Sequence, residues 1–250
     1  MANPDQMQPF HATGGPVGVL FCHGFTGSPA SLRGWADQTA EAGYTVSLPL
    51  LPGHGTVWQE LNVTSWRDWY DHVDAEYRRL REQCEEVFVA GLSMGGSLAL
   101  RLAQQHTDVA GLLLVNPALG AVDPLAKFAG VLKYLVPATP SIGNDIAKEG
   151  VDEGAYETTP VAGVHELHKL WADVRSTLDL VTCPMMLFRS RVDNVVPGSS
   201  SDTVRRLVSS DDITEVKLPN SYHVATLDHD ANTIVELSLQ FLERVAARAA

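Results

Sequence analysis

Ser93 lies in Gly91-Leu92-Ser93-Met94-Gly95, a G-x-S-x-G pattern. Twenty Gly and 16 Ser in 250 residues give about 0.1 chance matches per chain, so the bare pattern decides little. Its setting decides more. The apolar run Val87–Ala90 precedes it directly, and the helical pattern Met94–His106 follows directly. A strand, a tight turn and a helix are what hold a serine hydroxyl up as a nucleophile, with free helix N–H groups beneath a developing anion. The two glycines have a steric reason, because the turn strains the serine backbone and leaves no room for side chains beside it. The competing reading is a Gly-rich turn with a capping serine.

A serine needs a base, and the base needs an acid to orient it. In a strand-turn-helix scaffold of this kind the order along the chain is serine, acid, histidine, each after a later strand. Asp193 follows the run Met185–Phe188, and His223 follows the run Thr214–Leu218. The interval between them leaves room for one helix and one strand. His229 is the rival base, but it opens the last helix, where it reads with Asp228 and Asp230 as a cap. An acyl-transfer site also needs two amides for the oxyanion. His23-Gly24-Phe25 ends the first long strand, so the N–H groups of Phe25 and Met94 are the candidates. His23 precedes the serine, against that order, and reads as structural. His54, in Leu51-Pro52-Gly53-His54-Gly55, reads as a loop residue lining or shaping the site. His165 and His168 stand three apart on a helix, but without a further carboxylate or Cys they read as a solvated face, and no metal is expected.

These groups need a scaffold. Val17–Cys22, Val87–Ala90, Leu112–Val115 and Met185–Phe188 are apolar on both faces, as in parallel strands covered on both sides, while Tyr44–Leu50 and Thr214–Leu218 are more mixed. Helical patterns cover Ser28–Ala42, Thr64–Cys84, Met94–His106 and Asp230–Ala249. The alternation predicts a doubly wound α/β fold. One crossover is too long: about 65 residues separate Ala118 from Cys183 where a single helix needs on the order of 20. Residues 120–175 are therefore read as a cap inserted over the carboxyl ends of the strands, on a core of 1–119 and 176–250. Within the cap, Leu125, Phe128, Ala129, Leu132, Leu135 and Val136 share one helical face. That stripe must meet either the core, the favoured expectation, or a lipid tail or surface. A proline-rich break at 136–140 follows it, and then a second helical stretch that ends in His165–Leu178.

The whole chain excludes several classes. Eighteen basic against 30 acidic residues give a net charge of −12, which opposes nucleic-acid binding and basic docking on anionic membranes. No apolar run reaches the roughly 18 residues of a membrane span. The first fifteen residues show no basic and apolar regions of a secretory signal. Cys22, Cys84 and Cys183 are scattered and odd in number, which suits free thiols in the cytoplasm. Neither a Walker loop nor a G-x-G-x-x-G follows a strand, so no cofactor is expected.

HGFTGSP, LPGHGT, GLSMGG, DNVVP and SYHVATLD stand in order along the chain. Together they closely resemble the bacterial monoacylglycerol lipase and thermostable carboxylesterase branch of the α/β-hydrolases, from about Val17 to the C-terminus. The resemblance implies a mostly parallel sheet with helices on both faces and a small cap enclosing an acyl tunnel. It implies Ser93, Asp193 and His223 as the triad and Phe25 and Met94 as oxyanion donors. It places Ile142, in Ser141-Ile142-Gly143, against the acyl chain, and Glu153 near the glycerol headgroup. The expected reaction is cleavage of monoacylglycerols to glycerol and fatty acid through an acyl-enzyme. The alternatives are a general short- to medium-chain carboxylesterase and a non-catalytic ligand-binding homologue. The expected partner is a small lipid or ester substrate, and transient contact with lipid surfaces is compatible with the cap.

Overall fold

The computed structural model of the protein describes residues 4–141 and 143–249. Its strands are β1 (Phe10–Ala12), β2 (Val17–Cys22), β3 (Thr45–Leu48), β4 (Glu86–Leu92), β5 (Gly111–Val115), β6 (Ala138–Pro140), β7 (Thr158–Pro160), β8 (Met185–Ser190) and β9 (Ile213–Leu218). Its α-helices are α1 (Arg33–Glu41), α2 (Trp58–Leu61), α3 (Trp66–Arg81), α4 (Met94–Gln105), α5 (Ala129–Leu132), α6 (Val161–Ser176), α7 (Ser199–Leu207) and α8 (Ala231–Ala249). Seven strands form one sheet in the order β1-β3-β2-β4-β5-β8-β9. Every pairing in it is parallel except β1 with β3.

Alternate strand residues divide between two cores, as the period of two requires. Leu20, Val87, Val89, Leu112, Leu114 and Leu187 pack under α3, α4 and α6. Val19, Phe21, Phe88, Ala90, Leu113 and Phe188 pack under α1 and α8. Runs buried on both faces are why these strands read as continuous apolar stretches. The helix α3 starts at a capping box: Ser65 Oγ accepts from the Asp68 amide, and Asp68 Oδ2 accepts from the Ser65 amide at 2.7 Å. The expected Ser28–Ala42 helix is split into a 3-10 turn at Pro29–Ser31 and α1.

Between β5 and β8 the described residues before α6 build short pieces. They are a 3-10 turn at Pro124–Phe128, the single turn α5, and the antiparallel pair β6–β7. The proline-rich break is thus itself the strand β6, tolerated in a two-stranded ladder where each strand has a free edge. Phe128, Leu135 and Val136 of the apolar stripe do not pack on the core. Phe128 is 60%, Leu135 76% and Tyr134 80% exposed, and Val131 is 68% exposed beside them. The reason is length: one helical turn cannot present the long face that the spacing suggested, and only Ala129 is buried. Leu167, Leu170, Trp171 and Val174 on α6 join the core against α3 and α4.

Candidate active site

Ser93 sits between β4 and α4 with φ 57° and ψ −118°. A serine with this backbone is strained, and the surroundings impose the strain. A Cβ on Gly91 would lie 2.3 Å from the Gly95 carbonyl oxygen, and one on Gly95 would lie 1.8 Å from that of Cys22. Only glycine lets the turn press against β2 and back on itself. Met94 opens α4, where an amide has no intrahelical acceptor. Among the described residues neither the Phe25 nor the Met94 amide has a hydrogen-bond acceptor. The Phe25 ring is wedged beside Trp69, at a centroid distance of 5.9 Å, and against Gly163 of α6.

Asp193 and His223 stand in the loops after β8 and β9. Asp193 Oδ1 accepts from the amides of Val195 at 2.9 Å and Val196 at 2.7 Å, and Oδ2 lies 2.8 Å from His223 Nδ1. A carboxylate can only accept, so Nδ1 carries the proton and Nε2 is left as the basic nitrogen. His223 is buried, and burial alone would lower its pKa. The Asp193 hydrogen bond and charge, joined by the charges of Glu153 and Asp145, outweigh that and hold it above the ordinary histidine value. The His223 backbone is also fixed: its carbonyl accepts from Asn116 Nδ2 at 2.8 Å, and Asn116 reaches Ser190 Oγ at 2.9 Å.

Ser93, His223, Phe25 and Met94 line one cavity of about 170 Å3. Val164, Leu167, Trp171 and Val196 make its apolar wall; Ser141, Asp145 and Glu153 lie on its polar side. Glu153 Oε1 accepts from the Asn144 amide at 2.8 Å, while burial pushes its carboxyl pKa up. Ile142 lies outside the described residues, between Ser141 and Gly143, which both line the cavity. Sequence reading did not single out Asp145, or Val164, Leu167 and Trp171. The spacing 164, 167 and 171 is one helical face and was a usable signal.

The remaining histidines resolve differently. His23 is buried, its Nδ1 is 3.0 Å from the Gly24 carbonyl oxygen, and its Nε2 accepts from the Leu51 amide at 3.1 Å. Burial lowers its pKa to about 4. His54 is buried beside it, with burial lowering its pKa to about 3, and it is absent from the cavity wall. His229 is exposed and does not line that cavity. Two expectations are corrected. His165 and His168 are half-buried rather than a solvated face: a Cβ on Gly130 of α5 would fall 3.1 Å from the His165 ring, and His168 packs on Trp171. Asp228 and Asp230 do not turn their side chains to the last helix. Asp228 accepts from the amides of Ala147, Lys148, Tyr222 and His229, and Asp230 accepts from the Asn220 amide and Ser221 Oγ. Loop amides without a ladder partner are the stronger demand on a buried carboxylate.

A serine on a strained strand-helix turn, a histidine–aspartate pair and this sheet order define an α/β-hydrolase of the serine type. Comparison with known proteins narrows the class. A family model described as "Serine aminopeptidase, S33" matches residues 17–230. The chain is 44% identical over 245 residues to a thermostable monoacylglycerol lipase of Bacillus sp. (strain H-257), covering 96% of this chain and 95% of that one. It is 29% identical over 239 residues to a carboxylesterase of Bacillus subtilis (strain 168), covering 95% and 97%. A solved structure described with the metagenome-derived lipolytic enzymes LipS and LipT superposes with a TM-score of 0.93 at 39% identity, covering 96% and 98%. The chain belongs to this serine hydrolase family, on the branch of the bacterial monoacylglycerol lipases and carboxylesterases.

Proposed function

We propose that the protein hydrolyses monoacylglycerols, with Ser93 as nucleophile, His223 as general base and Asp193 as its orienting acid. The observation that carries this reading is the 2.8 Å Asp193–His223 contact, behind a serine and an apolar cavity that share one wall. His223 Nε2 takes the Ser93 proton as Oγ attacks the ester carbonyl. The Phe25 and Met94 amides bind the oxyanion. His223 then protonates the departing glycerol oxygen, and in the second half it activates the water that releases the fatty acid. Asp193 stabilises the imidazolium without taking its proton. No step calls for a cofactor or metal.

Residues 120–175 act in this reading as the cap over a core of 1–119 and 176–250. Ile142 touches the acyl chain, and Glu153 binds the glycerol hydroxyls. The apolar wall from α6 suits one chain, and the 44% identical lipase supports the monoacyl substrate. Exposed Phe128, Val131, Tyr134 and Leu135 stand beside Lys127 and Lys133, and four of the five lysines (127, 133, 148 and 169, against Lys217) fall in the cap. Apolar side chains rimmed by lysine suit brief contact with a lipid surface. Among the described residues no helix is long and apolar enough to cross a membrane. Free thiols at Cys22, Cys84 and Cys183 favour a cytoplasmic setting.

The second reading is a short- to medium-chain carboxylesterase, favoured by the Bacillus subtilis relative. A panel of monoacylglycerols from C4 to C18, with di- and triacylglycerols, alkyl esters and an aminoacyl amide, separates them. The expected result is highest kcat/KM on monoacylglycerols. Equal rates on alkyl esters of the same chain would favour the esterase, and no turnover of any ester would favour a binding protein.

A further inference from the structure

We propose that Asp145, carried on the cap, is the positioning residue that holds the acid loop and the base loop in register. This rests on the assignment of Asp193 and His223 above. Asp145 Oδ2 accepts from the His223 amide at 3.2 Å and from the Asn194 amide at 3.1 Å. Its Oδ1 accepts from Asn194 Nδ2 at 2.7 Å. Its own carbonyl accepts from the Val224 amide at 3.1 Å. One residue thus bonds to the neighbour of the catalytic acid, to the base itself, and to the residue after the base. Those partners lie 49 and 78 positions away in sequence.

The arrangement has a physical need behind it. Asp193 is fixed within its own loop by the Val195 and Val196 amides. The His223 carbonyl is fixed from the core by Asn116. The core gives the His223 amide no acceptor; Asp145 supplies one from the other side. A buried backbone amide must be paired, and a carboxylate oxygen is a stronger acceptor for it than a neutral one. The strap that carries Asp145 is itself tied down, since Asp228 accepts from the Ala147 and Lys148 amides at 2.7 and 3.0 Å. Cap and base loop therefore exchange carboxylates: Asp145 reaches in, and Asp228 reaches out. A cap displaced at 145–148 releases the His223 amide, so the base is in place only when the strap is seated. Asp193, Glu153 and Asp145 are the charged groups that act on the His223 ring. Asp145 is thus both a geometric support and one of three negative charges that favour the imidazolium.

The two contributions separate experimentally in the full chain acting on a short, soluble ester. Asp145→Ala removes three acceptor bonds and should lower kcat by about 10- to 100-fold, the loss that follows a small misplacement of a catalytic group. KM for so short a substrate should change by less than about threefold. Asp145→Asn keeps an oxygen for both backbone amides, and Asn194 can rotate its amide to face the new NH2. This variant should recover most of kcat, while the acidic limb of its kcat/KM profile moves to lower pH, because one negative charge near the imidazolium is gone. Asn194→Ala, at an exposed position, should lower kcat less than Asp145→Ala and add little to it in the double variant. Unchanged kcat in Asp145→Ala, a loss confined to KM, or an Asp145→Asn profile with the wild-type limb would overturn the proposal. If Asp145→Ala does not fold, the limb of Asp145→Asn and the rate of Asn194→Ala decide. Ser93→Ala run in parallel keeps the two levels apart. An active Ser93→Ala refutes the triad itself, whereas a dead Ser93→Ala beside wild-type-like Asp145 variants refutes only the role of Asp145.

Discussion

The core and the segment between β5 and β8 solve the same problem, holding polar groups at a fixed place, by opposite means. At the nucleophile, packing does it. Ser93 is strained because Gly91 and Gly95 let backbone touch backbone, and strands buried on both faces leave the turn no alternative. At 120–160 there is little to pack, and side chain to backbone bonds hold the chain. Asn144 Oδ1 accepts from the Glu153 amide at 2.9 Å, Glu153 returns a bond to Asn144, and Tyr156 Oη donates to the Gly53 carbonyl at 2.8 Å. The difference teaches where each kind of substitution will register. Core changes near the site alter whether chemistry or folding occurs at all, whereas changes in the segment between β5 and β8 alter which substrate is used or, at Asp145 and Glu153, how the base is held and charged.

The largest effect is expected at the nucleophile and base. Ser93→Ala and His223→Ala should each lower kcat by about four to six orders of magnitude, with the fold intact by circular dichroism. His229→Ala should change kcat by less than about twofold, because that ring is exposed and outside the cavity. The reverse ranking of the two histidines would show the base to be misassigned. Next comes Gly95→Ala, whose Cβ would meet the Cys22 carbonyl at 1.8 Å. It should destabilise by about 3 kcal/mol in urea unfolding, since rigid backbone on both sides cannot yield. A stable Gly95→Ala would mean the turn is looser than its glycines require.

Substitutions at Ile142 and Glu153 should act on selectivity and on the pH profile rather than on the fold. Ile142→Trp should shift preference toward shorter acyl chains, each excluded methylene forfeiting about 0.8 kcal/mol of burial. A C4 to C18 series with an unchanged profile would place Ile142 outside the tunnel. Glu153→Gln removes one of the charges that raise the His223 pKa. Because His223 must be neutral to accept the serine proton, rate falls as pH drops through that pKa, and the variant's acidic limb should move to lower pH. The smallest effect is expected at Phe128 and Leu135. Changing both to Ser should leave stability within about 0.5 kcal/mol, as exposed positions do. Turnover of a soluble short ester should be unchanged, while turnover of a substrate presented in zwitterionic vesicles falls. Wild-type turnover of the vesicle substrate by the variant would deny the patch its role at a lipid surface.

Sequence reading reached the core more fully than the cap for the same reason. Ser93 and Asp193 were legible because each follows a strand buried on both faces; β9, before His223, is an edge strand of mixed burial, and there the order serine, acid, histidine pointed to the residue. Residues 10–12, 138–140 and 158–160 escaped, since three residues carry no period, and two of those segments contain proline. The stripe at 125–136 misled because spacing promises a face only if one regular helix continues, whereas the chain takes a 3-10 turn and the single turn α5 and then leaves the helix before Pro137. Asp228 and Asp230 were read by their nearest helix, although their partners are loop amides. Asp145 was invisible: nothing local distinguishes a carboxylate whose partners are 49 and 78 positions away.

The central claim is that hydrolysis passes through an ester on Ser93. Mixing the protein with a slowly deacylated long-chain ester, quenching with acid and mapping the mass of the digested peptides tests it directly. The expected result is one acyl adduct, on the peptide containing Ser93, absent from Ser93→Ala and accumulating before steady-state product release. An adduct on another residue, or continued hydrolysis by Ser93→Ala with no adduct, would contradict the account.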